Sequence, residues 1–143
     1  MAAEEWRRDG FVISTDRARL DRELIWSVIS NTYWGEALTR EVFERSVDNA
    51  LVFGLFGPDG GQVGFARVVT DYARFAWLSD LFVVEELRGR GLGRWLAETV
   101  LAYPPLAGMD RWLLATRDAH GLYREFAFDE VPAGRFMLRR GSA

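Results

Sequence analysis

"LFVVEELRGRGLGRWLAETVLAYP", Leu81 to Pro104, passes from an apolar stretch through three alternate glycines into a helical pattern. The aromatic and β-branched residues Phe82, Val83 and Val84 favour a strand. Beyond Gly91, the residues Leu92, Leu96 and Val100, with Trp95, Thr99 and Tyr103, recur at helical spacing. Pro104 and Pro105 stop that helix. Gly89, Gly91 and Gly93 therefore occupy a strand-to-helix turn, interleaved with Arg88, Arg90 and Arg94. Such a turn is either a tight connection with solvated arginines or a cradle for phosphate. Glycines let backbone N–H groups approach a phosphate without Cβ atoms in the way. Consecutive N–H groups form an anion nest, and the helix that starts there adds the positive end of its dipole. The arginines add charge-assisted hydrogen bonds. A dinucleotide fingerprint needs G-x-G-x-x-G, but Arg94 stands at the third glycine, and the G-K-[S/T] of a Walker loop is absent.

Outward from the turn, the pattern predicts a mixed α/β arrangement around one central, mostly antiparallel sheet flanked by helices. "GFVIS" (Gly10–Ser14) reads as a strand. Asp21 caps a helix over Arg22–Ser30, with Leu20 and Ile25 as a hydrophobic staple, and Thr39 caps a second helix to about Asn49, with Leu38 and Phe43. "LVFGLFG" and "QVGFARVVTDY" flank the turn Pro58–Gly61 as a hairpin. Arg74–Val84 is the third adjacent strand. After the glycine turn and its helix, Arg111–Thr116 reads as a buried strand. Asp118 caps a short helix to Phe126, and Gly134–Arg140 alternates as a last strand.

Composition narrows the chemistry. The 143 residues fit one domain, 1–143, and 49% are hydrophobic, which places the chain among globular proteins. With no cysteine, disulfides, thiolate metal sites and acyl-cysteine intermediates are excluded. His120 is the single histidine, so a multi-histidine metal site is excluded too, and no metal is expected. All 18 basic residues are arginine, which removes lysine Schiff-base chemistry. A net charge of −3 argues against a nucleic-acid partner. "MAAEEWRRDG" has no apolar signal segment, and no run is long enough for a membrane span, so a cytoplasmic location is expected.

Arg88-Gly89-Arg90-Gly91-Leu92-Gly93 matches [Q/R]-x-x-G-x-[G/A], and from about Phe11 to Met137 the chain resembles the GCN5-related N-acetyltransferase family, or GNAT. The resemblance implies that the turn, Arg88 through Arg94, binds the pyrophosphate of acetyl-CoA as cosubstrate. It implies that Phe82, Val83 and Val84 present backbone to the pantetheine arm, where two strands splay, and that an N–H near Val83 serves the thioester oxyanion. The family's usual proline after that strand is Glu85. The downstream pattern A-x-x-x-Y-x-x-x-G-F is met by Ala119, Tyr123 and Phe128. Ala127 replaces the glycine, which normally permits a positive φ, so a slightly different loop is expected there. Thr116 stands where an asparagine is common beside the cofactor.

By the same resemblance, Tyr123 is the general acid toward the coenzyme A sulfur; a phenol is protonated at neutral pH. Its other reading is a tyrosine packing helix against sheet. Asp80, three residues before Val83, is a candidate base or else an arginine's partner. His120, at i, i+3 from Tyr123, is a second candidate base or a solvated surface residue. The acceptor groove is expected between the first two helices and the strands beside the turn. There Tyr33 and Trp34 offer an aromatic wall and Glu36 attracts a cationic amine, unless they only staple the helix pair. Arg67 is expected to line the same cleft. The implied activity is transfer of an acetyl group to a small-molecule or peptide amine by direct attack in a ternary complex. The alternative is a non-catalytic acyl-CoA-binding module with the same fold. Sheet edges must be covered or paired, which leaves monomer and homodimer open.

Overall fold

A computed structural model describes residues 2–32 and 37–141. Among them, six strands form one sheet in chain order: β1 Glu5–Arg8, β2 Phe11–Ser14, β3 Leu51–Phe56, β4 Gln62–Thr70, β5 Ala76–Val83 and β6 Trp112–Leu114. All neighbours are antiparallel except β5 and β6. The sole parallel pair needs a crossover, supplied by helix α3, Leu92–Leu101.

The helices cover both faces. Leu92, Trp95, Leu96 and Val100 of α3 pack on one face with Ile13, Phe53, Ala66 and Val68. Helices α1, Arg22–Ile29, and α2, Arg40–Asp48, cover the other. There Ile25, Ile29, Phe43 and Val47 meet Val52, Phe65 and Phe82. A strand buried on both sides has no polar face, which is why "LVFGLF" reads as an unbroken apolar run.

Two of the three expected caps form. The Asp21 side chain accepts from Leu24 N–H at 3.1 Å, and Thr39 Oγ1 from Val42 N–H at 3.3 Å. Arg22 reaches Glu44 and Asp48 at 2.9 Å each. Arg40 reaches Glu23 at 2.6 Å and Glu44 at 3.1 Å, so two arginines clasp α1 to α2.

Two expectations fail, and one strand goes unread in the sequence. Glu5–Arg8 is a strand that the polar sequence "EWRR" hides, although Asp9-Gly10 carries the hairpin signal: both have positive φ, 51° and 84°, as a two-residue turn requires. Asp118 does not cap the helix α4, His120–Arg124; Thr116 Oγ1 accepts the Ala119 N–H at 3.0 Å instead. Gly134–Arg140 forms no ladder among the described residues and lies exposed, after a turn in which Arg135 N–H donates to Pro132 O at 3.2 Å. Alternation had no partner strand to act upon.

One irregularity in the sheet positions the residues around Asp80. Phe65 pairs with Phe82 and Arg67 with Ser79, so Ala66 faces two residues, Asp80 and Leu81. This β-bulge holds Asp80 at φ 54°, a left-handed conformation that aspartate tolerates better than most residues. It also switches the strand's alternation. Ala76 and Leu78 point to the α3 face, but beyond the bulge the odd-numbered Val83 does so, while Phe82 turns to the α1–α2 face.

Candidate active site

The parallel pairing of β5 with β6 stops at Leu78 and Leu114, although β5 continues to Val83. Strand β6 itself ends there, the chain beyond it leaves β5, and a slot opens between the two. Val84 N–H donates to Val63 O at 2.8 Å across the β4 side. By the alternation of an antiparallel ladder, the N–H and C=O of Val83 then face away from β4, into the slot. The carbonyl is reached by Arg88 Nε at 3.1 Å.

The glycine turn closes one end. Gly89 and Gly91 both have φ 81°, and a Cβ built on either meets nothing within 4 Å. Both glycines answer a conformational demand, and open space stands over them. Gly91 is the N-cap of α3, with no side-chain cap, so the first N–H groups of the helix point outward. Gly93 sits against β5, where a Cβ would lie 3.8 Å from Val83 Cγ2. Leu92 is a buried core residue and contributes only backbone here. Of the three arginines, Arg88 folds back on Val83, and Arg94 pairs with Glu125 at 2.7 Å across the slot from α3 to α4. Arg90 is exposed and makes no ion pair among the described residues.

A cleft of about 640 Å³ lies at the other end, where the chain leaves β5. Ile29 of α1 and Val42 and Ser46 of α2 form one wall, β5 from Trp77 to Leu81 the floor, and Ala115 to Ala119 with Tyr123 the far side. Arg67 and Asp80 meet on its floor. Arg67 donates from Nε to Asp80 Oδ2 at 2.8 Å and from Nη2 to Ser79 Oγ at 3.1 Å. Their side chains are 16% and 8% exposed, so the ion pair is largely sequestered from water. Ser79, not singled out from sequence, completes this network with a 3.3 Å bond to Asp80 Oδ1.

Tyr123 is buried, near the C-terminal end of helix α4, and its ring meets Phe128 edge to face at 5.8 Å. It also borders a second cleft of about 270 Å³, shared with Thr116 and His120. Asp80 borders the first cleft and His120 the second, so the two candidate bases lie on different sides of the tyrosine. Tyr33, Trp34 and Glu36 lie outside the described residues. The contributions of Val42 and Ser46 carried no sequence signal beyond a helix face. The bulge left one: apolar spacing in "AWLSDLFV" changes from two to three between Leu78 and Leu81.

The family model described as "Acetyltransferase (GNAT) family" matches residues 5–128. A crystal structure of a GNAT-family protein from Xanthomonas campestris pv. campestris is 42% identical, covers 92% of this chain and 93% of that one, and superposes with a TM-score of 0.85. The Gibberella zeae protein named "Putative acetyltransferase FG08082" is 28% identical over 84% of this chain and 79% of its own length. A GNAT acetyltransferase from Elizabethkingia anophelis with acetyl-CoA bound shares the fold at 12% identity, with a TM-score of 0.62 over 83% of this chain and 76% of that one. The glycine turn, the slot beside β5 and the tyrosine helix all fall within the matched span, and the chain belongs to the acetyltransferase (GNAT) family.

Proposed function

We propose that this protein transfers an acetyl group from acetyl-CoA to an amine by direct attack, with both substrates bound together. The observation that supports this most is the Val83 N–H turned into the slot between β5 and β6, with Tyr123 on the neighbouring helix. Acetyl-CoA supplies the activated acetyl thioester. Phe82 to Val84 offer the edge along which its arm lies. Gly89 to Gly93 and the first N–H groups of α3 receive the pyrophosphate, with Arg88, Arg90 and Arg94 as cations and Thr116 at the opposite wall.

The amine enters from the cleft above Arg67 and loses a proton to Asp80, directly or through water, with His120 as the second candidate. Its nitrogen bonds to the thioester carbon, and the Val83 N–H stabilises the oxyanion. The carbon–sulfur bond then breaks, and the Tyr123 hydroxyl gives its proton to the departing sulfur. Tyr33, Trp34 and Glu36 complete the acceptor side. Thiol release from acetyl-CoA over a panel of amines tests the reading. Acceleration by at least one amine is expected. Tight coenzyme A binding with no acceleration by any amine, including amino acids, polyamines and peptide N-termini, would instead indicate a binding module.

A further inference from the structure

Arg67 is built into the floor of the larger cleft with part of its guanidinium left over. Its Nε–H is held by Asp80 and its Nη2 by Ser79, which fixes the plane of the group. Nη1 donates to nothing among the described residues. No buried side-chain nitrogen or oxygen among the described residues lacks a partner, so Nη1 must meet solvent, and Arg67 borders the cleft. A guanidinium fixed in plane with donors to spare is preorganised to take a carboxylate.

Asp80 lies against it at 2.8 Å, so the floor presents a positive and a negative group side by side. The described lining is balanced as a whole, with Arg67 and Arg117 against Asp80 and Asp118. A polyamine would bring several positive charges and find no surplus carboxylate there. A plain alkylamine would displace water from the cleft and leave the free donors of Arg67 unpaired. An α-amino acid answers both demands. Its ammonium and carboxylate hang from one carbon, so they can lie antiparallel to the protein's own pair, ammonium to Asp80 and carboxylate to Arg67. The remaining surface describes the side chain. Ile29, Leu38 and Val42 form an apolar wall facing Trp77 and Leu81, and Val42 is left 47% exposed. A large apolar group would cover it.

We propose that the acceptor is an α-amino acid with a large apolar side chain, held by its carboxylate on Arg67 and acetylated on its α-nitrogen. This rests on the acetyl transfer proposed above. The ammonium sheds one proton to Asp80. Once the carbon–nitrogen bond has formed and the carbon–sulfur bond has broken, it sheds a second, which replaces the one that Tyr123 gives to the thiol. The products are an N-acetyl amino acid and coenzyme A.

Thiol release is measured with two series: L-leucine, L-leucinamide and isoamylamine, and L-phenylalanine, L-phenylalaninamide and phenethylamine. Within each, the apolar body is constant and only the carboxyl position changes. The amides have the less basic amine, so an advantage of the acid reports recognition and not reactivity. In at least one series, kcat/KM for the acid should exceed that for the amide and the amine by about tenfold or more. L-Alanine should fall roughly tenfold or more below the better acid. In Arg67→Gln the gap between acid and amide should close. Should that variant not fold, the wild-type comparison decides alone. Equal rates across each series, a gap that survives Arg67→Gln, or acceleration by other amines but by neither amino acid would overturn the proposal and leave acetyl transfer intact. Acceleration by no amine at all would overturn acetyl transfer itself, and this proposal with it.

Discussion

Phe128 holds Tyr123 twice: its ring meets the tyrosine edge to face at 5.8 Å, and its N–H donates to the Tyr123 carbonyl at 3.1 Å. With Ala127 N–H bonded to Arg124 O at 3.1 Å, these bonds make the paired 6→1 and 5→2 closure of a Schellman motif. The helix end thus fixes the ring proposed to protonate the leaving sulfur. Tyr123→Phe keeps the packing and removes only the hydroxyl. Turnover should fall roughly a hundredfold, the scale of general acid catalysis, while coenzyme A affinity stays the same. An unchanged rate in steady-state kinetics would leave Tyr123 a packing residue.

That motif normally ends in glycine, because its C′ residue is left-handed. Here Ala127 occupies the position at φ 68°. The expectation of an altered loop at this substitution is not met; the chain keeps the conformation and carries the strain. Ala127→Gly should therefore stabilise the protein, by about 1 kcal/mol. Thermal melts should show a rise of roughly 3 °C. A lower midpoint would mean that alanine is comfortable there.

Gly91 separates the phosphate cradle from a mere turn. A side chain there meets open space but must accept φ 81°. Gly91→Ala and Gly91→Glu share that backbone penalty, and only the second places a negative charge over the helix N-terminus. Like charges about 4 Å apart cost on the order of 4 kcal/mol near a protein surface. Isothermal titration should show coenzyme A binding far weaker in Gly91→Glu than in Gly91→Ala. Equal affinities would move the pyrophosphate elsewhere.

Asp80 has two duties that substitution can part. Asn tolerates a left-handed backbone and still offers an oxygen to Arg67 Nε, so Asp80→Asn should fold normally yet lose most turnover. Asp80→Ala leaves a largely buried arginine without its counterion and should destabilise by about 3 kcal/mol as well. If Asp80→Asn retains full activity in the thiol-release assay, the ion pair is structural and the base lies elsewhere.

The clasp between α1 and α2 makes stability depend on acid. Hydrogen bonds from Arg22, and then from Arg40, hold the Glu44 carboxyl below its usual range, and Arg40 does the same to Glu23. A lowered folded-state pKa contributes stability that is present above the ordinary carboxylate pKa and is lost as pH falls through the lowered value. Glu44→Gln should thus lower the urea midpoint at pH 7, and the difference should shrink as pH falls below the ordinary carboxylate range. A gap that does not shrink with acid would point to packing instead of charge.

Local chemistry was plainly legible in the sequence. Asp21 and Thr39 cap as read, the hairpin forms around Pro58–Gly61, and the glycine turn leads from strand to helix. What stayed hidden depends on partners distant in sequence. "EWRR" becomes a strand only because Asp9-Gly10 folds it onto β2. "GRFMLRR" has the alternation of a strand but finds no neighbour among the described residues. The meeting of Arg67 with Asp80 depends on a bulge, and nothing local announces which residue will be the extra one.

That extra residue works like a single dropped stitch in strand β5. Were the ladder to run on unbroken, Gly64 would face Phe82 and Val63 would face Val83. Val83 would then turn its N–H toward β4, and Phe82 would leave the α1–α2 core for the opposite face. The slot would lose its donor with every functional side chain still present in the chain. Interior packing and the proposed oxyanion contact are thus tied to the same one-residue offset, and neither can be re-registered without the other.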